Sequence, residues 1–258
     1  IEAIRAAQQR LADPRELTAA EEARLIAEQP AVVVIQCNIH STEIASSQMA
    51  MLLAHRLATN DTLARALEKV VVLLIPSANP DGQQMVVDWY EQGVGTPFEG
   101  GALPWLYHPY VGHDNNRDWF MVTQKETRLA VEKIHSVFKP HITHDMHQMG
   151  SGGARIFVPP FKNPPNPNVD PLVWSEVNLL GQAMAARLQG EGKTGVFWGE
   201  VYSGFWQGAN STNPWWHNMV ALLTEVASAR LAAPIFQQVA PAPLPGESRP
   251  QPEPGDLQ

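Results

Sequence analysis

Two uninterrupted apolar runs, Ala31-Val-Val-Val-Ile-Gln36 and Val70-Val-Val-Leu-Leu-Ile75, frame the first third of this chain. Runs of that length without polar alternation predict strands buried on both faces, as in parallel sheets covered by helices. Between them Ile44, Met49, Leu52, Leu53 and Leu57 recur at helical spacing. Strand, helix and strand at this separation predict a right-handed crossover. Pro76 and the turn sequence Asn79-Pro-Asp-Gly82 stop the second run. Further helices are expected at 123–138, closed by Lys139-Pro140, and at 173–188; extended segments are expected at 141–147, 196–202 and 220–226. The expected fold class is α/β, a mixed, mainly parallel sheet with helices on both faces.

The pattern also divides the chain. Residues 1–30 read as a charged helical lead-in, and 31–238 as the main domain. In 239–258 Pro, Gly, Gln and Glu dominate, which predicts a disordered tail or linker. Residues 93–112 are rich in Gly, Pro and aromatics without periodicity, and 159–171 in Pro and Asn. Long aperiodic loops inside compact domains are usually functional.

Composition narrows the function classes. With 258 residues, 44% of them hydrophobic, the chain suffices for one sizeable α/β domain, and no run reaches the length of a spanning helix, so membrane insertion is not expected. A net charge of -8 with scattered Lys and Arg argues against nucleic acid as a partner. The one cysteine, Cys37, excludes an internal disulfide framework and reads as a core thiol. The first residue is Ile and no signal peptide is visible. The chain therefore reads as processed or truncated, with a secreted or periplasmic location favoured.

Candidate chemistry begins at His40-Ser-Thr-Glu43, just past the first strand. Three residues apart, the two side chains share one face of a helical turn and can converge on a cation. In open α/β sheets ligands bind beyond the carboxyl ends of strands, where this pair lies. A catalytic zinc typically has three protein ligands and a water. The segment His141-Ile-Thr-His144-Asp145-Met-His147 offers the third. Strand alternation puts His141, Asp145 and His147 on one face and His144 on the other, and His147 stands nearest the strand's carboxyl end.

The series His40-Ser-Thr-Glu43, Asn79-Pro-Asp-Gly82, Asp114-Asn-Asn116-Arg117-Asp-Trp119, Asp145-Met-His147 and Leu222-Leu-Thr-Glu225 resembles, in order, the motifs of the carboxypeptidase A and B type of zinc carboxypeptidase, over about residues 31–230. The chain looks like a divergent, bacterial-type member or a fragment of one. The resemblance implies one Zn2+ per chain held by His40, Glu43 and His147. It implies Asp114 as the carboxylate behind the first histidine, and Asn116 and Arg117 as the pair that binds the substrate's free carboxylate. Glu225 would be the general base and Tyr202 the tyrosine that closes over bound substrate. It also implies opening strands before residue 31, which leaves one sheet edge incomplete, and an arginine that stabilises the oxyanion. No Arg or Lys lies between Gly82 and Asn116. That role would fall to zinc, to His108 or His113, or to an arginine from elsewhere.

The implied function is zinc-dependent hydrolysis of a C-terminal peptide bond. The alternatives are an amidase or deacylase acting on N-acyl amino acids, which also present a free carboxylate, and a non-catalytic peptide-binding module. No acidic residue lies between Tyr202 and Glu225, which weighs against a preference for basic side chains. Gly208, Ala209, Asn210 and Ser211 are candidate specificity positions, and Trp206, Trp215 and Trp216 suggest an apolar pocket.

Overall fold

The structure, a computed structural model, describes residues 1–228. Two helices, α1 (Glu2–Ala12) and α2 (Ala19–Glu28), lead into β1 (Ala31–Cys37). Then come α3 (Ala45–Thr59), the short α4 (Asp61–Ala64), β2 (Val70–Ile75) and α5 (Pro80–Gly93). After a loop without helix or strand until a short turn at Asn115–Arg117, α6 (Lys125–Ala130), a π-helical turn (Val131–His135) and α7 (Ser136–Phe138) lead to β3 (Ile142–Met149). The chain continues through β4 (Ile156–Phe157), α8 (Pro171–Gly190), β5 (Val196–Phe197) and β6 (Val220–Ala227). The Pro-rich tail expected from residue 239 lies outside the described residues.

Six strands form one sheet in the order β2-β1-β3-β6-β4-β5. β2, β1, β3 and β6 are mutually parallel, while β4 runs antiparallel to β6. The mixed, mainly parallel sheet agrees with the sequence reading. From β1 the chain passes to β2 on one side and later returns to β3 on the other, so a topological switch point falls between β1 and β3. Crevices of this kind open at the carboxyl ends of the two strands.

Burial refines the strand expectations. On β1, Val32, Val34 and Gln36 are fully buried, but Ala31, Val33 and Ile35 only partly. β2, expected to be buried, is half-buried along its whole length, because it is an edge strand with one neighbour among the described residues. The segment 196–202, expected to be extended, keeps only Val196–Phe197 in the sheet. Gly199 and Tyr202 then take left-handed backbone angles, with φ of 76° and 59°, and turn the chain away.

The main core packs α8 against β4 and β6. Phe157, Phe161, Val173, Val177, Trp215, Ala221 and Leu222 form it, and burial of each large apolar side chain stabilises by roughly 1.5–3 kcal/mol. Trp215 is part of this core, its indole N–H donating to the Ala221 carbonyl at 2.9 Å, whereas Trp206 and Trp216 stay partly exposed. The helical lead-in docks on the domain: Gln9 donates to the Ser136 and Val137 carbonyls, and Ala7 and Leu25 are buried. α8 approaches the 159 loop so closely that a Cβ on Gly181 would lie 2.2 Å from the Pro159 carbonyl oxygen. Gly181→Ala is therefore expected to cost about 1–3 kcal/mol of stability in urea unfolding, the usual penalty of overpacking.

Candidate metal centre

β1 ends at Asn38, whose φ of 59° is tolerated because Asn is among the few side chains at ease in the left-handed region. Its amide donates to the carbonyls of His40, Ser41 and Glu43 at 3.3, 3.3 and 3.4 Å. These bonds compete with helix formation and coil 38–43 into a turn, closed by Glu43 N–H to the His40 carbonyl at 3.0 Å. The expected helical turn is thus displaced, and α3 starts only at Ala45. His40 and Glu43 nevertheless meet, with Nδ1 to Oε1 at 2.8 Å.

β3 supplies the third group. His147 Nδ1 lies 3.0 Å from Glu43 Oε2 and 3.2 Å from His40 Nδ1, and Glu43 Oε2 also accepts the Gln148 N–H at 2.8 Å. One ligand atom from each of His40, Glu43 and His147 falls within 4.8 Å of the others, the one such cluster among the described residues. Both imidazoles turn Nδ1 inward and Nε2 outward. His40 Nε2 meets Asp114 Oδ1 at 3.0 Å, and His147 Nε2 meets Asp145 Oδ2 at 2.8 Å. Carboxylates behind ligand histidines fix tautomer and ring plane and make the inner nitrogen a better donor. Two nitrogens and a carboxylate, with outer positions already committed, fit zinc by donor type and number.

Charge in the cage follows the same logic. Burial would lower both imidazoles, but Asp114 and Glu43 raise His40, and Asp145 and Glu43 raise His147 well above its ordinary value. Burial would raise Glu43, yet His147 and His40 hold it down to about 2. The cage favours positive charge, whether a proton or a cation. His144, on the opposite face, bonds Thr224 Oγ1 at 2.8 Å, and burial lowers it to about 4.

β6 brings in Glu225. In the parallel register His147 pairs with Glu225, so both side chains leave the same face of the sheet; a one-residue slip would turn Glu225 away. Glu225 is 8% exposed, and its carboxyl is pushed up to about 7 by burial, opposed by His147 and reinforced by Glu43. Tyr202 hydrogen-bonds it, and the Tyr202 ring packs on Phe157 with centroids 4.7 Å apart. That packing fits a residue that holds Glu225 rather than one that closes over substrate.

The Asn116 and Arg117 pair divides. Asn116 is 3% exposed; its Nδ2 donates to Asp145 Oδ2 at 3.3 Å and lies 3.2 Å from His147 Nε2, while its Oδ1 accepts the Asn210 N–H at 2.8 Å. With both ends committed beneath the cage, Asn116 is not free for a substrate carboxylate. Arg117 differs: its side chain is 50% exposed, anchored to Asp114 Oδ2 at 3.2 Å and to the Asn116 carbonyl at 2.8 Å, with its guanidinium 5.8 Å from the Trp206 ring. Of the suggested oxyanion donors, His108 is buried with Nε2 on the His113 carbonyl and Nδ1 accepting the Tyr110 N–H, so neither nitrogen is available. His113 is exposed and bonds the Asp114 carbonyl.

Sequence reasoning gave Asp145 no role. Its spacing of two from His147 on a strand, which places both on one face, was the available signal. Tyr107, read there only as one of the aromatics of the 93–112 stretch, has its ring 4.8 Å from that of His40.

Comparison with known proteins identifies the family and the fold. The zinc carboxypeptidase family matches residues 16–144, half of the chain, including His40, Glu43, Asp114 and Arg117. Carboxypeptidase 2 of Trichophyton rubrum is 31% identical over 123 residues, covering 47% of this chain and 19% of that protein. Carboxypeptidase A of Helicoverpa armigera superposes with a TM-score of 0.52 at 16% identity, over 77% of this chain and 52% of that one. The metallo-carboxypeptidase of Pseudomonas aeruginosa, solved with (2-guanidinoethylmercapto)succinic acid, gives 0.52 at 17%, over 78% and 49%. The chain spans about a fifth of the length of the curated relatives and about half of these solved structures, whose likeness establishes the fold. The matching motif region, the shared fold and a His-Glu-His cage at the switch point together place this chain in the zinc carboxypeptidase family.

Proposed function

We propose that this chain carries the catalytic centre of a metallocarboxypeptidase that hydrolyses the C-terminal peptide bond of its substrate. The observation that carries this reading is Glu225, a buried carboxylate raised to about 7 on the same sheet face as His147. A buried carboxyl beside the cage, its charge opposed by burial and favoured by a cation, can both take and return a proton, as general base and then general acid. Zinc held by His40, Glu43 and His147 would supply a water of lowered pKa and polarise the scissile carbonyl.

The remaining roles belong to the protein. Glu225 accepts the proton from the attacking water and hands it to the departing amine, with the Tyr202 hydroxyl orienting its carboxylate. Arg117 binds the free carboxylate of the substrate by two parallel hydrogen bonds, which sets the scissile bond one residue from the chain end. Asp114 and Asp145 keep the two imidazoles in the tautomer that points Nδ1 inward, and the buried Asn116 links Asp145 to the 210 loop.

The test is turnover of blocked dipeptides with free and with amidated C-termini. A charged hydrogen-bonded pair is worth about 1.5–3 kcal/mol, so the free acid is expected to be preferred by roughly 10–150-fold in kcat/KM, and Arg117→Met to erase the preference. Equal rates on both substrates would remove the exopeptidase assignment. N-acyl amino acids, which also present a carboxylate to Arg117, belong in the same panel.

A further inference from the structure

We infer that Tyr107 is a positioning residue of the metal centre, held in place by the Asn79-Pro-Asp-Gly82 turn and Ser41 so that it locks Asp114 onto His40. This rests on the reading of the centre as a zinc site.

Tyr107 belongs to the stretch after α5 that has neither helix nor strand, yet its backbone is clamped. Its carbonyl accepts the Ser41 hydroxyl at 2.5 Å and the Asn79 amide at 2.9 Å. Asn79 is fully buried and ties this point to two others, donating to the Ile39 carbonyl at 2.9 Å and accepting the Gly82 N–H at 3.1 Å. Gly82 makes the approach feasible, since a Cβ there would lie 2.1 Å from the Tyr107 carbonyl oxygen. Asn79 and the first turn of α5 thus set one side chain against the cage from a remote part of the sequence.

That side chain makes two contacts with the centre. The ring covers His40 at 4.8 Å between centroids with planes inclined by 59°, and the hydroxyl hydrogen-bonds the Asp114 carboxylate. Asp114 needs a second anchor. Its Oδ1 serves His40 and the Asn116 N–H, but its Oδ2 is held by Arg117, the group that would shift to meet a substrate carboxylate. With Oδ2 tied only to a half-exposed arginine, the carboxylate would swing about its Oδ1 anchor as Arg117 shifts, and the His40 ring plane would follow it. The Tyr107 hydroxyl, fixed by backbone clamps outside that movement, keeps Asp114 on His40 as Arg117 moves.

The test is a double-mutant cycle read by zinc affinity, measured by chelator competition on the full chain. Tyr107→Phe is expected to weaken zinc about tenfold, the scale of loss when a partner behind a ligand is removed. In an Asp114→Asn background the same change is expected to cost less than about twofold, because its route to His40 is already cut. Unchanged affinity in Tyr107→Phe, or an equal loss in both backgrounds, overturns the inference. Should Tyr107→Phe fail to fold by circular dichroism, Ser41→Ala, which releases the Tyr107 carbonyl, takes its place with an expected loss of about threefold, and no loss is again decisive against it. A wild-type chain that binds no zinc would overturn the zinc reading as well, whereas wild-type binding and turnover with an inert Tyr107 removes only this inference.

Discussion

Glu225→Gln is expected to lower kcat/KM by roughly 10²–10⁴-fold while making the metal-free protein more stable at pH 8. The two effects have one cause. Glu225 stands on β6 among Leu222, Leu223 and the β3 partner His147, where a carboxylate is poorly solvated, and this raises it to about 7. A raised carboxyl in the folded state means that the native protein binds more protons than the unfolded chain between the ordinary value of 4.5 and about 7. Stability is therefore full below about 4.5 and falls as pH rises through 7, by an amount on the order of 3 kcal/mol for a shift of this size. Gln keeps the shape and an acceptor for the Tyr202 hydroxyl but never ionises, so the loss with pH should flatten. Activity runs the other way, since only the ionised form can take a proton, and the wild-type acid limb should lie at or below pH 7, because a bound cation favours the charged form. Urea unfolding across pH, alongside kinetics of the zinc-loaded protein, checks both. A variant within tenfold of wild-type activity would exclude Glu225 as the base.

Much of this arrangement was legible in the residues themselves. The apolar runs at 31–36 and 70–75 gave the parallel frame because strands covered on both sides have no polar alternation to disguise them. His147 could be chosen over His144 because strand period fixes facing, and the register of β3 on β6 then puts Glu225 beside it. What escaped was set by contacts distant in sequence. The half-burial of β2 depends on how many neighbours the sheet supplies, which no local pattern records. The turn at 38–43 arises from one Asn side chain bonding three carbonyls, and it overrides a helical pattern that continues plausibly backward from Ile44. Asn116 could not be separated from Arg117 by spacing, because their different fates depend on Asn210 and Asp145, each far along the chain. Tyr107 is readable only once Asn79 is seen to hold its carbonyl and Gly82 to leave room for it.

His147→Ala is expected to weaken zinc on the order of 10²–10³-fold and also to destabilise the metal-free protein by about 3–5 kcal/mol. The first effect is the loss of one of three donors. The second comes from Asp145, which is 2% exposed and has its Oδ2 2.8 Å from His147 Nε2. Remove the imidazole and a buried carboxylate keeps only neutral donors, the amides of Asn116 and Asn210, against its desolvation. Glu43 loses in the same step the imidazole that does most to hold its carboxyl down. A second substitution separates the effects. Asp145→Asn in the His147→Ala background removes the stranded charge and should recover at least half of the lost stability, yet it restores no donor and so recovers no zinc affinity. Zinc at 1,000 times its wild-type dissociation constant stabilises a native state by about 4 kcal/mol, so a chelator should lower the melting temperature of the wild type markedly and that of both variants far less, since they keep only about 0.4–1.4 kcal/mol. If the double variant is as unstable as the single, Asp145 is not the source of the penalty, and the role of an ion pair behind the second histidine fails. If stability recovers while zinc does not, the stability penalty is the stranded charge of Asp145 and the affinity belongs to the inner donors.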